Sequence, residues 1–391
     1  MARRRLRATV AKILSSRWLA APRAGLAVPF LAVATACSTF DGLSLAKPGA
    51  ERPAGPCVLA SAQQPVPTIG FAGCDEHVVA FSSIDISPEH GTVGFDLDGK
   101  CTGEGDGPSC QRPPWADEHD DGPQGRDNSL LASLSKVDAG TTLLNSVLAG
   151  GINGGFLTTL LRIRDYDGMP NDGNIEVALF AVTLGTGDLD TEGHKPGWNG
   201  QDAWKPFVGW TGTPDPSEVG PQVDAGCPPD SVTAKYVSDR AYVVNGVLVA
   251  HFRRLLLPTT YLFSDVTIQA TIDDGGGQWS LHDGVFEGRL AVDQILPGLD
   301  YVSGTDGNLL CTDSMDFLAV KRTICALADI RYADDDISAP CDAASFAWRF
   351  DTGAAQLSND IQMLRPTDFH HCSASTSSAN EHCSSLGASQ P

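Results

Sequence analysis

Glycine and proline interrupt this chain along its whole length, with 41 glycines and 25 prolines among 391 residues. Glycine weakens helix interiors and proline removes a backbone donor, so this pattern excludes coiled coils, long helical bundles and helical solenoids. Hydrophobic residues still make up 42% of the chain, which is enough to build a core. We therefore expect a mainly β protein rich in turns.

Short apolar runs between turn residues predict the strands. The strongest signal is Asn245-Gly246 between Ala241–Val244 and Val247–Ala250, because both turn positions of a two-residue hairpin need a positive φ. The other predicted strands are His77–Ile86, Thr92–Leu97, Phe156–Arg164, Asn174–Leu184, Ser231–Val237, Ser264–Ile272, Gln278–His282 and Ala344–Asp351. The predicted helices are Asn128–Leu148 and Met315–Arg331. This order predicts a β-sandwich of jelly-roll kind with a few inserted helices, in a single domain over residues 66–383 with a short tail at 384–391.

The N-terminus has the pattern of an export signal. Residues 1–23 contain seven basic residues and no acidic one, and an apolar run from Ala24 to Ala36 precedes Cys37. Val33–Cys37 resembles the lipobox of bacterial lipoproteins, in which the cysteine thiol is acylated and becomes the new N-terminus. The resemblance implies a signal peptide at 1–37, lipidation of Cys37 and a flexible tether at 38–65 that holds the domain on a lipid bilayer. Ser38 resembles the residue that follows the cysteine in lipoproteins sent to the outer membrane.

Cysteine usage predicts the same compartment. With Cys37 assigned to lipid, ten cysteines remain, an even number suited to disulfides outside the cytoplasm. The disulfide candidates are Cys57, Cys74, Cys101, Cys110, Cys227, Cys311, Cys325, Cys341, Cys372 and Cys383. Short spacing favours the pairs Cys57–Cys74, Cys101–Cys110 and Cys372–Cys383, and the predicted helix favours Cys325 with Cys341 or Cys227. A zinc site at His370–Cys372 and His382-Cys383 is the alternative for the last two cysteines.

Several segments together resemble a known group of proteins. They are Gly94–Cys101, Asp121–Asn128, Asp165–Val177, Asn199–Trp204, Ala241–Ala250 and Cys341–Phe350. The pattern is similar to that of uncharacterised secreted lipoproteins of myxobacteria and their relatives. The resemblance implies a cell-envelope protein, and it implies no activity and no catalytic residue.

Asp/Asn/Gly-rich connections are candidate calcium sites, because calcium takes six to eight hard oxygen ligands from flexible loops. The richest connection supplies Asp165, Asp167, Asn171, Asp172, Asn174 and Glu176. Two further groups are Asp96 with Asp98, and an acidic group that ends at Asp127. The alternative is that these residues simply make good turns.

Three tryptophans recur every six residues in Gly185–Asp230, which is predicted to be a long loop: Trp198, Trp204 and Trp210. Their rings are candidates to stack on sugar rings. The alternative is that they bury large apolar areas and anchor the loop to the core.

Function is the least constrained property. The net charge of −21 argues against nucleic acid as a partner. The common hydrolase and nucleotide motifs are missing, so catalysis is not favoured, although paired carboxylates of a secreted hydrolase stay open. The sequence favours a lipid-anchored binding or adhesion module of the cell envelope, on the periplasmic face or the cell surface, with a carbohydrate or protein ligand. The alternative is a structural or accessory envelope protein without a small ligand.

Overall fold

The computed structural model describes residues 60–65, 75–86, 93–103, 106–113, 115–116, 121–130, 133, 140–173, 175–185, 194–218, 231–257, 261–275, 278–301, 308–333, 336–363 and 371–386. The predicted signal segment, the predicted lipidation site Cys37 and three disulfide candidates (Cys57, Cys74 and Cys227) lie outside these residues. Within the described part of the chain, no helix is both long and apolar enough to cross a membrane.

The described residues form a mainly β protein. The strands are β1 (Glu76–Asp85), β2 (Thr158–Arg164), β3 (Glu176–Thr183), β4 (Asn199–Pro206), β5 (Tyr236–Val237), β6 (Arg240–Val244), β7 (Val247–Leu256), β8 (Leu262–Asp273), β9 (Ser280–Ala291) and β10 (Ala343–Leu357). The α-helices are α1 (Gly140–Asn153) and α2 (Phe317–Cys325). Short 3₁₀ helices span Val208–Trp210, Val292–Gln294, Leu296–Tyr301 and Cys383–Ser385.

All these strands are hydrogen-bonded into one sheet. Neighbours follow the order β1-β2-β3-β4-β10-β9-β8-β7-β6, and β5 pairs with β3. The long strand β10 also pairs with β1, which closes β1, β2, β3, β4 and β10 into a ring. Only β4 and β10 run parallel; the other pairs are antiparallel. Strands β6 to β10 therefore form a meander that leaves the ring through β10.

The main core lies between the two parts of this sheet. Phe81 of β1 and Leu179 of β3 share one apolar cluster with Phe252 of β7, Phe286 of β9 and Phe346 of β10. The opposite face of β2 and β3 packs in a second cluster around Trp204. Because β3 is buried on both faces, its sequence is almost continuously apolar.

The hairpin prediction is confirmed. Val244 pairs with Val247 across the turn, and Asn245 and Gly246 have φ values of 51° and 76°. Both turn residues therefore adopt the left-handed conformation that this turn requires.

Several element boundaries differ from the predictions. Thr92–Leu97 was predicted as a strand, but its described residues lie in an irregular loop. Strand β4 lies inside the predicted loop Gly185–Asp230. Helix α2 ends at Cys325, before the predicted end, because Asp329 and Ile330 leave the helix and donate backbone hydrogen bonds to the carbonyl of Ala343 on β10.

Three disulfides join distant parts of the described chain. They are Cys110–Cys341, Cys311–Cys372 and Cys325–Cys383, with sequence separations of 231, 61 and 58 residues. The disulfide-bonded β protein is thus confirmed, but the predicted pair Cys101–Cys110 is wrong. Cys110 instead fastens the loop before α1 to the start of β10, and Cys101 belongs to another disulfide.

The predicted pairings of Cys372 and of Cys325 are also wrong, whereas Cys57–Cys74 lies outside the described residues. Cys372 and Cys383 do not pair with each other, and Cys325 pairs with Cys383, not with Cys341 or Cys227. The C-terminal segment lies across α2, where the ammonium of Lys321 contacts the carboxylate of Glu381. This long-range path brings the C-terminal cysteines to partners near α2.

Candidate functional site

The loop of residues 93–100 lies on the polar side of β9 and β10. The amide of Phe95 donates to the carboxylate of the buried Glu287, and the amide of Asp127 donates to the carbonyl of Phe95 at 2.9 Å. Gly94 has a φ of 122°, and a Cβ there would lie 3.1 Å from the Ala347 Cβ and from Glu287 Oε2. The loop thus approaches the sheet more closely than a larger residue would allow.

This loop carries an acidic cluster. Carboxylate oxygens of Asp96, Asp98 and Asp127 lie within 4.8 Å of one another. Asp96 Oδ1 accepts the Gly99 amide at 2.8 Å, and Asp127 Oδ2 accepts the Leu97 amide at 2.7 Å. Asp127 is 1% exposed, and its other oxygen, Oδ1, has no hydrogen-bond partner in the described part of the chain. We name this set, Asp96, Asp98 and Asp127, the aspartate cluster.

Like charges make the aspartate cluster electrostatically unfavourable by itself. Burial, with the Asp98 charge as a further cause, raises the pKa of Asp96 to about 6 and that of nearby Asp121 to about 7. Burial and the surrounding carboxylates raise the pKa of Asp127 well above its usual value. The adjacent Lys100 ammonium donates to the carbonyl of Pro108. Among the described residues no ion pair joins it to the cluster.

The connection predicted as the richest calcium site is arranged differently. Asp172 is fully buried and its Oδ2 accepts the Asp167 amide at 3.1 Å. Asn171 Oδ1 accepts the Asn245 amide at 3.0 Å, so this loop supports the β6–β7 turn. Glu176 faces Arg162 at 3.8 Å.

The remaining predicted ligands of that connection are Asp167, Asp165 and Asn174. Asp167 Oδ1 accepts the Met169 amide, Asp165 has a φ of 62°, and Asn174 lies outside the described residues. Of the acidic, histidine and cysteine side chains that the structure describes, only the aspartate cluster forms a group of three with ligand atoms this close. Calcium at the Asp165–Glu176 connection stays a prediction.

The three tryptophans that were candidates for sugar stacking are mostly buried. Trp204 is fully buried, and Trp210 is buried with its indole nitrogen donating to the Leu256 carbonyl at 2.7 Å. Trp198 is partly buried and packs against Trp204, with a ring separation of 5.6 Å, and against Gly353. Trp204 and Trp210 present no free ring face to a sugar in this conformation, as expected of residues that anchor a segment.

A polar cavity of about 450 Å³ opens beside β7, β8 and β9. It is lined by Ser217, Glu218, His251, Arg253, Arg254, Ser264, Asp265, Arg289, Tyr332 and Ala333. His251 lies between two carboxylates, with Nδ1 2.5 Å from Asp239 and Nε2 2.7 Å from Asp265. Burial lowers the pKa of His251, but the hydrogen bonds and charges of these carboxylates outweigh burial and raise it to about 9. The ring is therefore a cation at neutral pH.

Cationic groups outnumber carboxylates in this cavity. Arg254 contacts Glu218 at 3.4 Å and keeps 56% of its side chain exposed. Arg289 is almost fully buried at the floor, 3.3 Å from Asp265, and donates to the Leu97 carbonyl. This site is not predicted from the sequence, because its residues come from distant segments. The local signal is the presence of charged residues within two largely apolar strands, at His251, Arg253 and Arg254 of β7 and at Asp265 of β8.

Comparisons with protein-family models, with curated proteins and with solved structures give no match for this chain. The site must therefore be interpreted from its own chemistry.

Proposed function

We propose that this chain is an exported, lipid-anchored envelope protein whose folded body is a non-catalytic binding module for an acidic carbohydrate. The proposal includes lipidation at Cys37, attachment to the outer membrane, and a β-sandwich of jelly-roll kind. Disulfides favour an oxidising compartment, and the core shared by β1–β3 with β7–β10 supports a two-layer arrangement.

The cavity is the observation that carries the binding function. Its volume of about 450 Å³ falls within the usual range for small-molecule sites. Three arginines and a cationic histidine line it in a chain of net charge −21, so the cavity is a local site of attraction for anions. Exposed Arg254 has the fork geometry that binds a carboxylate with two hydrogen bonds.

The remaining lining groups favour a sugar over a simple anion. Glu218 and Asp265 accept hydrogen bonds, and so can the hydroxyl oxygens of Ser217 and Ser264, whose protons are donated to Asp215 and to the Tyr332 carbonyl, whereas the arginines donate. A ligand that carries hydroxyl groups and one carboxylate uses both kinds of partner. Binding is favoured over catalysis because both ring nitrogens of His251 are engaged by carboxylates, which leaves neither free to act as a general base.

Calorimetric titration of the full chain with oligogalacturonate and with a neutral glucose oligomer of equal length tests the proposal. We expect only the acidic oligomer to bind, and Arg254→Gln to weaken binding at least about tenfold, a loss of about 1.4 kcal/mol. The matched control is Arg349→Gln, the same change at an exposed position of β10 outside the cavity, and it should leave the affinity unchanged. Equal affinity for the two oligomers, or no effect of Arg254→Gln, contradicts the proposal.

A further inference from the structure

The orphaned oxygen of Asp127 points to a ligand other than the protein. A buried carboxylate oxygen without a partner loses its hydration and gains nothing in return, which is costly. Asp127 Oδ1 is buried and unpartnered among the described residues, while its Oδ2 holds the Leu97 amide. The aspartate cluster brings two more carboxylates next to it. We infer that Asp96, Asp98 and Asp127 together bind one calcium ion.

The donor set selects the type of metal. All three side chains offer carboxylate oxygens, and none offers the nitrogen or sulfur that zinc and copper prefer. Oxygen ligands suit calcium and magnesium. Magnesium demands near-ideal octahedral geometry, whereas calcium accepts the irregular arrangement of a loop and completes its shell with carbonyls and water.

The cluster is also accessible to an ion. Asp96 and Asp98 are partly exposed, while Asp127 is buried behind them. An ion from solvent would therefore meet the two partly exposed carboxylates before the buried one. Its charge would offset the mutual repulsion of the three carboxylates.

A bound calcium ion would fasten two distant segments to the sheet. Asp96 and Asp98 lie in the loop of residues 93–100. Asp127 immediately precedes Asn128, which begins a segment that lies alongside β10. Asn128 side-chain atoms pair with both the amide and the carbonyl of Ala347 there, each at 3.2 Å. The ion would thus cross-link the loop to the covered edge of β10. The aspartate cluster shares no residue with the lining of the carbohydrate cavity, although the Leu97 carbonyl in its loop accepts a hydrogen bond from Arg289 of the cavity.

The test is calorimetric titration of the chelator-treated full chain with calcium chloride alone. We expect the wild-type protein to bind at least one ion per chain. Asp98→Asn and Asp127→Asn should each weaken calcium binding at least about tenfold, because each removes one ligand charge. The asparagine at position 127 can still accept the Leu97 amide through its carbonyl oxygen, so we expect Asp127→Asn to fold. In chelator it should be at least as stable as wild type, because repulsion within the cluster falls.

The matched control is Asp167→Asn, the same change in the other aspartate-rich connection. It should leave the calcium affinity within about twofold of wild type. No calcium binding by the wild type overturns the inference, as does binding lost in Asp167→Asn but kept in Asp98→Asn. Magnesium binding as tight as that of calcium also overturns it. If Asp127→Asn unfolds, Asp98→Asn decides the outcome, with its fold checked by circular dichroism.

Discussion

His251 links protonation to the stability of the fold. Its pKa of about 9 in the folded protein exceeds the usual 6.5, so the folded form holds this proton more tightly than the unfolded chain does. The stabilisation is fully present below pH 6.5 and is lost as the pH rises through about 9. We expect the free energy of unfolding to fall by about 3 kcal/mol between these pH values, measured by urea denaturation in chelator.

The control for this prediction is a change at the same histidine. His251→Gln should lower the stability near pH 6.5, because Asp239 and Asp265 then lose the cation between them and keep Arg253 and Arg289 as their cationic partners, and it should flatten the pH dependence. The matched change at the partly exposed His282, His282→Gln, should leave the dependence intact. The charged groups around His251 are Asp239, Asp265, Arg240, Arg253 and Arg289. An unchanged slope in His251→Gln assigns the titration to another group.

Single residues also show where sequence reasoning stops. Asp96, Asp98 and Asp127 were all visible as acidic turn residues. Their proximity in space was not visible in the sequence. It requires the 93–100 loop to contact a segment about 30 residues later, through Gly94, Phe95 and the buried Glu287. The prediction instead favoured the densest loop, Asp165–Glu176, whose side chains hold backbone amides.

At the level of elements, the β6–β7 hairpin depends on backbone conformation. Gly246 has a φ of 76°, and a Cβ there meets no atom within 4 Å. Gly246→Ala therefore incurs only the conformational cost, and we expect a loss of about 1 kcal/mol in urea denaturation. Gly209→Ala is the matched control, since Gly209 also has open space but no positive φ, and it should stay within about 0.5 kcal/mol of wild type. Equal losses at the two positions contradict this explanation.

The C-terminal segment depends on its disulfide to α2. The Cys325–Cys383 bridge closes a loop with a sequence separation of 58 residues, for which the chain-entropy relation gives about 4 kcal/mol. We expect the double change Cys325→Ser with Cys383→Ser to lower the free energy of unfolding by that order. Ser384→Ala, at the exposed neighbouring position, should have no measurable effect. A double variant as stable as wild type means that packing alone holds this segment on α2.

The elements that sequence reasoning found are those with local signals. The Asn245-Gly246 turn and the apolar β3 are each specified by the residues of one short segment. Strand β4 does not, because it pairs only briefly with β3 and runs parallel to the end of β10. Strand β9 extends to Ala291, well beyond its predicted end at His282. The sequence does not indicate this extension, because it contains the charged residues Glu287 and Arg289, which are buried under the 93–100 loop. The predicted pairings of Cys101, Cys325, Cys372 and Cys383 were wrong because disulfide partners are set by the tertiary path of the chain and have no local signal in the sequence.

For the whole molecule, net charge sets how stability responds to salt. The chain carries −21 at pH 7, so the folded state concentrates repulsion that the unfolded chain relieves by expanding. The Debye length falls from about 30 Å at 0.01 M to about 8 Å at 0.15 M ionic strength, which screens this repulsion. In chelator at pH 7, we therefore expect sodium chloride over this range to raise the free energy of unfolding by about 1 kcal/mol, or Tm by roughly 2–4 °C.

The control for the salt effect is the same titration at the isoelectric point. Near pH 4.6 the net charge is close to zero, so the favourable ion pairs that salt also screens are no longer outweighed by repulsion. The rise in Tm should therefore vanish or reverse there. A salt-induced rise of equal size at both pH values assigns the effect to the exclusion of salt from the protein surface, not to charge.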